Sequence, residues 1–127
     1  MTLSAHDELM AALAHTGYAV HDGKVPDRPA YPYVLVTPRR PWFRDRALSR
    51  DRHGRRVSWL LTVAGLSPMA VLVLTEGCVQ ALEGARIQGQ RLELEPGGLD
   101  IQADDDTAPD GAVVHFSKLQ FGLTLPA

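Results

Sequence analysis

Apolar residues along the chain repeat with two periods, one helical and one alternating, and the switches between them divide the sequence into elements. Ser4 reads as an N-cap with Asp7 three residues on, after which Leu9, Met10, Leu13 and Ala14 fall on one helical face. Gly17 is placed to end this helix. Tyr18 and Val20 then alternate with Ala19 and His21 ahead of an Asp22-Gly23 turn, which predicts a short strand. Pro26, Pro29 and Pro32 remove backbone donors and restrict the chain, so an extended linker is predicted to feed a strand over 33–37.

A central strand is predicted over 57–64, with Val57, Trp59, Leu61 and Val63 on one face and Leu60 on the other. Gly65 breaks it. Ser67 as N-cap and Pro68 at the first helical position open a second helix, in which Val71, Leu74, Cys78 and Leu82 keep helical spacing up to Gly84. Leu92 and Leu94 alternate with Glu93 and Glu95, and Pro96-Gly97-Gly98 turns the chain toward Leu99 and Ile101, which predicts a hairpin with partly exposed strands. The acidic stretch 104–110 is predicted to be a solvated loop. At the C-terminal end Leu119, Phe121, Leu123 and Leu125 oppose Lys118, Gln120, Gly122 and Thr124, the pattern of a long strand with one buried face. Together these elements predict an α+β fold, two helices packed on a mixed, mainly antiparallel sheet, with a long projecting arginine-rich loop.

The length of 127 residues and an apolar fraction of 45% fit one domain over 1–127 that buries a real core. No apolar stretch approaches the ~20 residues of a membrane-spanning helix, so no membrane partner is expected. The first residues lack a basic region followed by an apolar core, so synthesis in the cytoplasm is expected. Cys78 is the only cysteine, which rules out an internal disulfide and reads as a packing residue.

Charge changes the picture. Between 39 and 56 there are eight arginines against Asp45 and Asp51, a local charge of +6, so the remainder carries −8 to reach the overall −2. The apolar residues of this stretch are too few to form a core, and it is predicted to project as an arm within the domain. Its candidate interface residues are Arg39, Arg40, Trp42, Phe43, Arg44, Arg46, Arg50, Arg52, Arg55 and Arg56. Arginine presents a planar fork suited to carboxylates and phosphates, and Trp42 with Phe43 would anchor the segment to a partner. The bland alternative is a solvated loop that uses charge for solubility.

Candidate chemistry is sparse. Gly65-Leu66-Ser67-Pro68 lies at a strand-turn-helix, where hydrolase nucleophiles sit. Met69 replaces the second glycine of that motif, however, and Pro68 removes a backbone N–H needed for an oxyanion, so a helix cap is the better reading. The five histidines are scattered without metal-ligand spacing, and the acidic stretch lacks the glycine and final glutamate of a calcium loop. No phosphate-cradling glycine motif is present. No catalytic residue, metal or cofactor is therefore expected, and the chain reads as a non-enzyme.

The succession Val20-His21-Asp22-Gly23 with Val25-Pro26, then Tyr31-Pro32-Tyr33-Val34-Leu35-Val36, then Leu61-Thr62-Val63-Ala64-Gly65-Leu66-Ser67 opening a helix that ends Ala81-Leu82-Glu83-Gly84, resembles the tail-terminator, or tail-completion, family of siphophages. The resemblance implies a structural virion protein of the tail and neck region, assembled in the host cytoplasm. Such subunits form a hexameric ring on the last ring of the tail tube, stop its polymerisation and meet the head-side connector or head-closure protein. The implied partners are copies of this chain, the major tail tube protein and that connector, with genome DNA passing through the channel without specific binding. Strand edges such as 91–95, with Arg91, Glu93 and Glu95, would pair with neighbouring chains. Other neck proteins, or a nucleic-acid-binding module using the arm, are the alternatives.

Charge bears on the arm's role. Folded back as a hairpin, its 18 residues reach roughly 30 Å, a length of duplex carrying about 18 phosphates. Six arms would bring about 36 positive charges, over-neutralising DNA that must slide. The −8 remainder of an adjacent subunit, or an acidic tube surface, is the better match, so the arm is expected to brace protein interfaces.

Overall fold

The computed structural model describes residues 4–39, 42–44, 54–96, 100–108 and 111–125, with the backbone alone at 42–44, 54–55 and 105–107. In chain order the elements are α1 (Ala5–Ala14), β1 (Ala19–Asp22), β2 (Tyr33–Pro38), β3 (Trp42–Arg44), β4 (Gly54–Gly65), α2 (Pro68–Leu82), β5 (Arg86–Ile87), β6 (Gln90–Arg91), β7 (Glu93–Glu95), β8 (Gln102–Thr107) and β9 (Val113–Leu125). Two helices therefore pack against a mixed sheet whose strands are mostly antiparallel, the predicted α+β class.

Both helices begin where the sequence places their caps. The Ser4 hydroxyl accepts the Asp7 N–H at 3.1 Å, and the Ser67 hydroxyl accepts the Ala70 N–H at 3.1 Å, satisfying donors that have no partner within the helix. Pro68 follows at the first helical position, where its missing N–H costs nothing. The helices bury Leu9 and Leu13 from α1, and Val71, Leu74, Cys78 and Leu82 from α2.

The spine of the sheet is the antiparallel ladder of β4 and β9, running from Arg55 opposite Leu125 to Gly65 opposite His115. Trp59, Leu61 and Val63 from β4, with Leu119, Phe121 and Leu123 from β9, are buried in the main core with the helix residues. At roughly 25 cal/mol per Å² of apolar area, this shared layer is the main source of stability. On one side β2 pairs antiparallel with β4, and β1 pairs parallel with β2, Ala19 opposite Tyr33 through Asp22 opposite Val36. A parallel neighbour requires the chain to return along the strand, and the proline-punctuated residues 23–32 make that return.

Three expectations are corrected. First, among the described residues the strand Glu93–Glu95 does not pair with the segment after the Pro96-Gly97-Gly98 turn, as the predicted hairpin requires. β7 pairs with Gln120–Gly122 near the end of β9, while β8 pairs with Val113, His115 and Phe116 near its start. β9 is long enough to accept both along one edge, and in β7 this places Leu94 opposite Phe121 and against the core. Second, the acidic stretch predicted as a solvated loop enters β8, which carries Asp104-Asp105-Asp106. A bulge between Ala103 and Thr107 interrupts its pairing, a habit of edge strands, where charge also discourages further strand addition. Third, the strand predicted from Val57 starts at Gly54, and Trp42–Arg44 pairs with Arg56–Gly54, so part of the predicted loop is a ladder prolonging β4. Aromatic Trp42 and Phe43 favour the extended state, and antiparallel pairing satisfies the backbone.

The sheet face away from the helices holds a smaller cluster. Ala64, Ala108 and Val114 are buried there, walled by Tyr31, Tyr33, Ala112 and Phe116.

Candidate functional site

Ser67, Cys78 and His6 each have a structural use. Ser67 is occupied as a helix cap. Cys78 is fully buried, and burial pushes its thiol up to about 11, since a thiolate is disfavoured away from water. Trp59 donates its indole N–H to Nδ1 of His6 at 3.1 Å, leaving Nε2–H to face the Asp22 carboxylate at 2.9 Å. That chain of bonds ties α1 to β4 and β1. Among the described residues no group of three or more His, Cys, Asp or Glu side chains is placed to hold a metal ion.

The predicted interface residues of the basic segment are distributed unevenly. Arg40, Arg46, Arg50 and Arg52 lie outside the described residues, while Trp42, Phe43 and Arg44 are in β3 and Arg55 is in β4. Arg39 is exposed, and its backbone N–H bonds the Ser58 carbonyl at 3.0 Å. Arg56 turns out to meet another predicted interface residue: its Nη2 lies 2.6 Å and its Nε 3.1 Å from Glu95 Oε1. Gln120 donates to the other oxygen of the same carboxylate.

Arg91 in β6 and Glu93 in β7 are exposed at the predicted edge. The edge is already partly capped along its backbone, because Leu94 N–H donates to the Glu83 carboxylate at 2.8 Å. Side chains rather than a row of open backbone groups are what this edge offers.

A surface not anticipated from the sequence lies on α2. Leu66, Met69, Leu72 and Val73 are 44%, 65%, 42% and 55% exposed, and their spacing puts them along one side of the helix and its approach. A helix apolar on more than one side is normally covered on more than one side. The signal was present in the run Met69-Ala70-Val71-Leu72-Val73-Leu74, which has more apolar positions than one buried face can use.

A second surface is concave. On the sheet face away from the helices, cavities of about 310 Å³ and about 280 Å³ share Phe116 and Lys118. Asp100 and Gln102 complete the first, and Tyr33, Thr62, Ala64, Asp104 and Val114 the second. Register explains the depression: Ala64 sits between Tyr33 on β2 and Phe116 on β9, a small residue flanked by two rings. Burial and the nearby Tyr31 and Asp104 push the Tyr33 hydroxyl above its ordinary pKa, so the neutral form is favoured. Lys118 Nζ stands 5.9 Å from the centre of the Phe116 ring.

No family model matches the chain, and no curated protein matches it. Among solved structures, its fold is similar to that of a chain in the virion of a native gene transfer agent (GTA) particle. The TM-score is 0.59 at 19% sequence identity, with 98% of this chain and 92% of that chain covered. Likeness over nearly all of both chains at this identity establishes a shared fold.

Proposed function

We propose that this chain is a structural subunit of a phage-like virion, and that it forms a ring capping the tail tube, halting tube polymerisation and joining the tail to the head-side connector. The carrying observation is the fold likeness to a GTA virion chain, which covers 98% of this chain and 92% of that one. Two surface features support an assembly role: the apolar side of α2, and the strong separation of basic from acidic sequence. Exposed apolar side chains grouped in this way mark interaction surfaces more often than solvent-facing ones.

The mechanism is geometric. In a closed heterologous ring each subunit gives its neighbour a different surface from the one it receives. The ring then presents one face to the tube and another to the head, and growth stops because the second face does not copy the first. The partners in this reading are copies of the chain, the major tube protein and a head-side connector or head-closure protein, with DNA passing through unread. The site of action is the neck of the virion, and no bond is made or broken.

Electron microscopy of particles produced without this protein tests the reading. Tails of uncontrolled length that fail to join filled heads are expected. Normal-length tails left unjoined would instead indicate a head-closure or connector role, and normal joined particles would overturn a neck function altogether. On the purified protein, Met69→Glu with Val73→Glu should leave the unfolding midpoint within a few degrees of wild type, because both side chains are exposed, while abolishing self-association.

A further inference from the structure

We infer that the aromatic and acidic groove on the sheet face away from the helices is the seat for the arginine-rich hairpin of a second copy of this chain. This rests on the ring reading and names the contact that would hold neighbouring copies together.

Arg44 and Gly54 are cross-strand partners, so the nine residues 45–53 leave and re-enter the ladder at the same place. Out and back, such a segment extends about 16 Å from that point at most. The groove residue on β4 nearest the hairpin is Thr62, eight residues beyond Gly54, or about 26 Å away at 3.3 Å per residue. An arginine side chain adds too little to close the difference. The hairpin cannot fill its own groove, but the hairpin of another copy can.

Chemistry points the same way. Residues 42–55 carry Arg44, Arg46, Arg50, Arg52 and Arg55 against Asp45 and Asp51. The groove carries Asp100 and Asp104 against Lys118. Its walls include the rings of Tyr33 and Phe116, with Tyr31 at 5.4 Å from Tyr33. A guanidinium is the group that satisfies both parts at once, lying flat on an aromatic ring while its edge meets a carboxylate. Either cavity is large enough for one such side chain.

Donor and receptor lie toward opposite ends of the β4–β9 ladder, so one copy can give its hairpin to a second while receiving that of a third, a heterologous contact that closes into a ring when the rotation between copies allows it.

Zero-length carbodiimide cross-linking of the full chain tests the proposal. Arg46→Lys, Arg50→Lys and Arg52→Lys are combined so that the hairpin keeps its charge and gains reactive amines, and isotopically light and heavy proteins are mixed before cross-linking. Light–heavy peptides joining a hairpin lysine to Asp100 or Asp104 are expected in the assembled fraction. Assemblies whose hairpin lysines join only other carboxylates, or only the same copy, overturn the seat while leaving the ring reading standing. A dimer that never grows larger, with its hairpin lysines joined to Asp100 or Asp104 of the other copy, overturns the ring and leaves the seat, while a monomer at every concentration overturns both. Asp100→Asn with Asp104→Asn should weaken self-association about tenfold or more at low salt, with the difference shrinking at high salt. Unchanged association with an unchanged unfolding midpoint would also overturn the seat.

Discussion

Arg56 on β4 and Glu95 on β7 form an ion pair over Gly122 of β9, the strand that separates them, with Nη2 and Oε1 2.6 Å apart. A Cβ on Gly122 would overlap both groups, so the glycine is what allows the two side chains to meet. The side chains are only 13% and 22% exposed, and two guanidinium nitrogens address one carboxylate oxygen. A double-mutant cycle using Arg56→Gln and Glu95→Gln should give a coupling of about 1–2 kcal/mol. In a Gly122→Ala background the coupling should fall to less than half. An equal coupling in the two backgrounds would show that the glycine is incidental.

Ser67 offers a clear separation of roles. As a helix cap its hydroxyl accepts one backbone N–H, and Ser67→Ala should lower stability by about 1 kcal/mol in urea unfolding. Ser67→Asp should recover most of the loss, since a carboxylate also accepts that hydrogen bond and interacts well with the helix N-terminus. A loss that Asp cannot restore would mean the hydroxyl serves something other than the cap.

Cys78 gives the protein a defined response to alkaline pH. Its folded-state pKa of about 11 lies above the ordinary thiol value of 9.0. The thiol's contribution is therefore complete below pH 9 and is lost as pH rises through 11, because the unfolded chain releases its proton first. Stability should fall by roughly 2–3 kcal/mol from this group across that window. Cys78→Ala should flatten that part of the stability profile, whatever it does to stability at neutral pH. Native protein at pH 8 should react with a thiol reagent at least about 100-fold more slowly than unfolded protein, from ionisation alone. Equal rates would show that the site opens readily.

Features that act within a few residues of the chain are the ones legible in the sequence. Ser4, Ser67 and Pro68 act within one helical turn, and the buried positions of α2 follow from its period, so both helices appear where expected. The alternation of Leu119, Phe121 and Leu123 likewise assigned the core face of β9. Pairing was harder to read. Pro96-Gly97-Gly98 suggests a hairpin, yet the strands before and after it both find β9, whose long edge takes both and packs Leu94 against the core. Asp104-Asp105-Asp106 looked like a loop because aspartate disfavours strands in general, whereas an edge strand tolerates it.

The amino-acid order alone thus determined two capped helices, the faces they bury, the central and C-terminal strands, and a charge distribution split between a basic segment and an acidic remainder. Only the tertiary structure decided that Arg56 reaches Glu95, that Trp59 bonds His6, and that Tyr33, Phe116, Asp100 and Asp104 line one depression. The reason is physical. Caps and periodicity depend on neighbours within a few residues, while these meetings depend on which strand edges remain open after the core has packed and on the register in which β9 fills them.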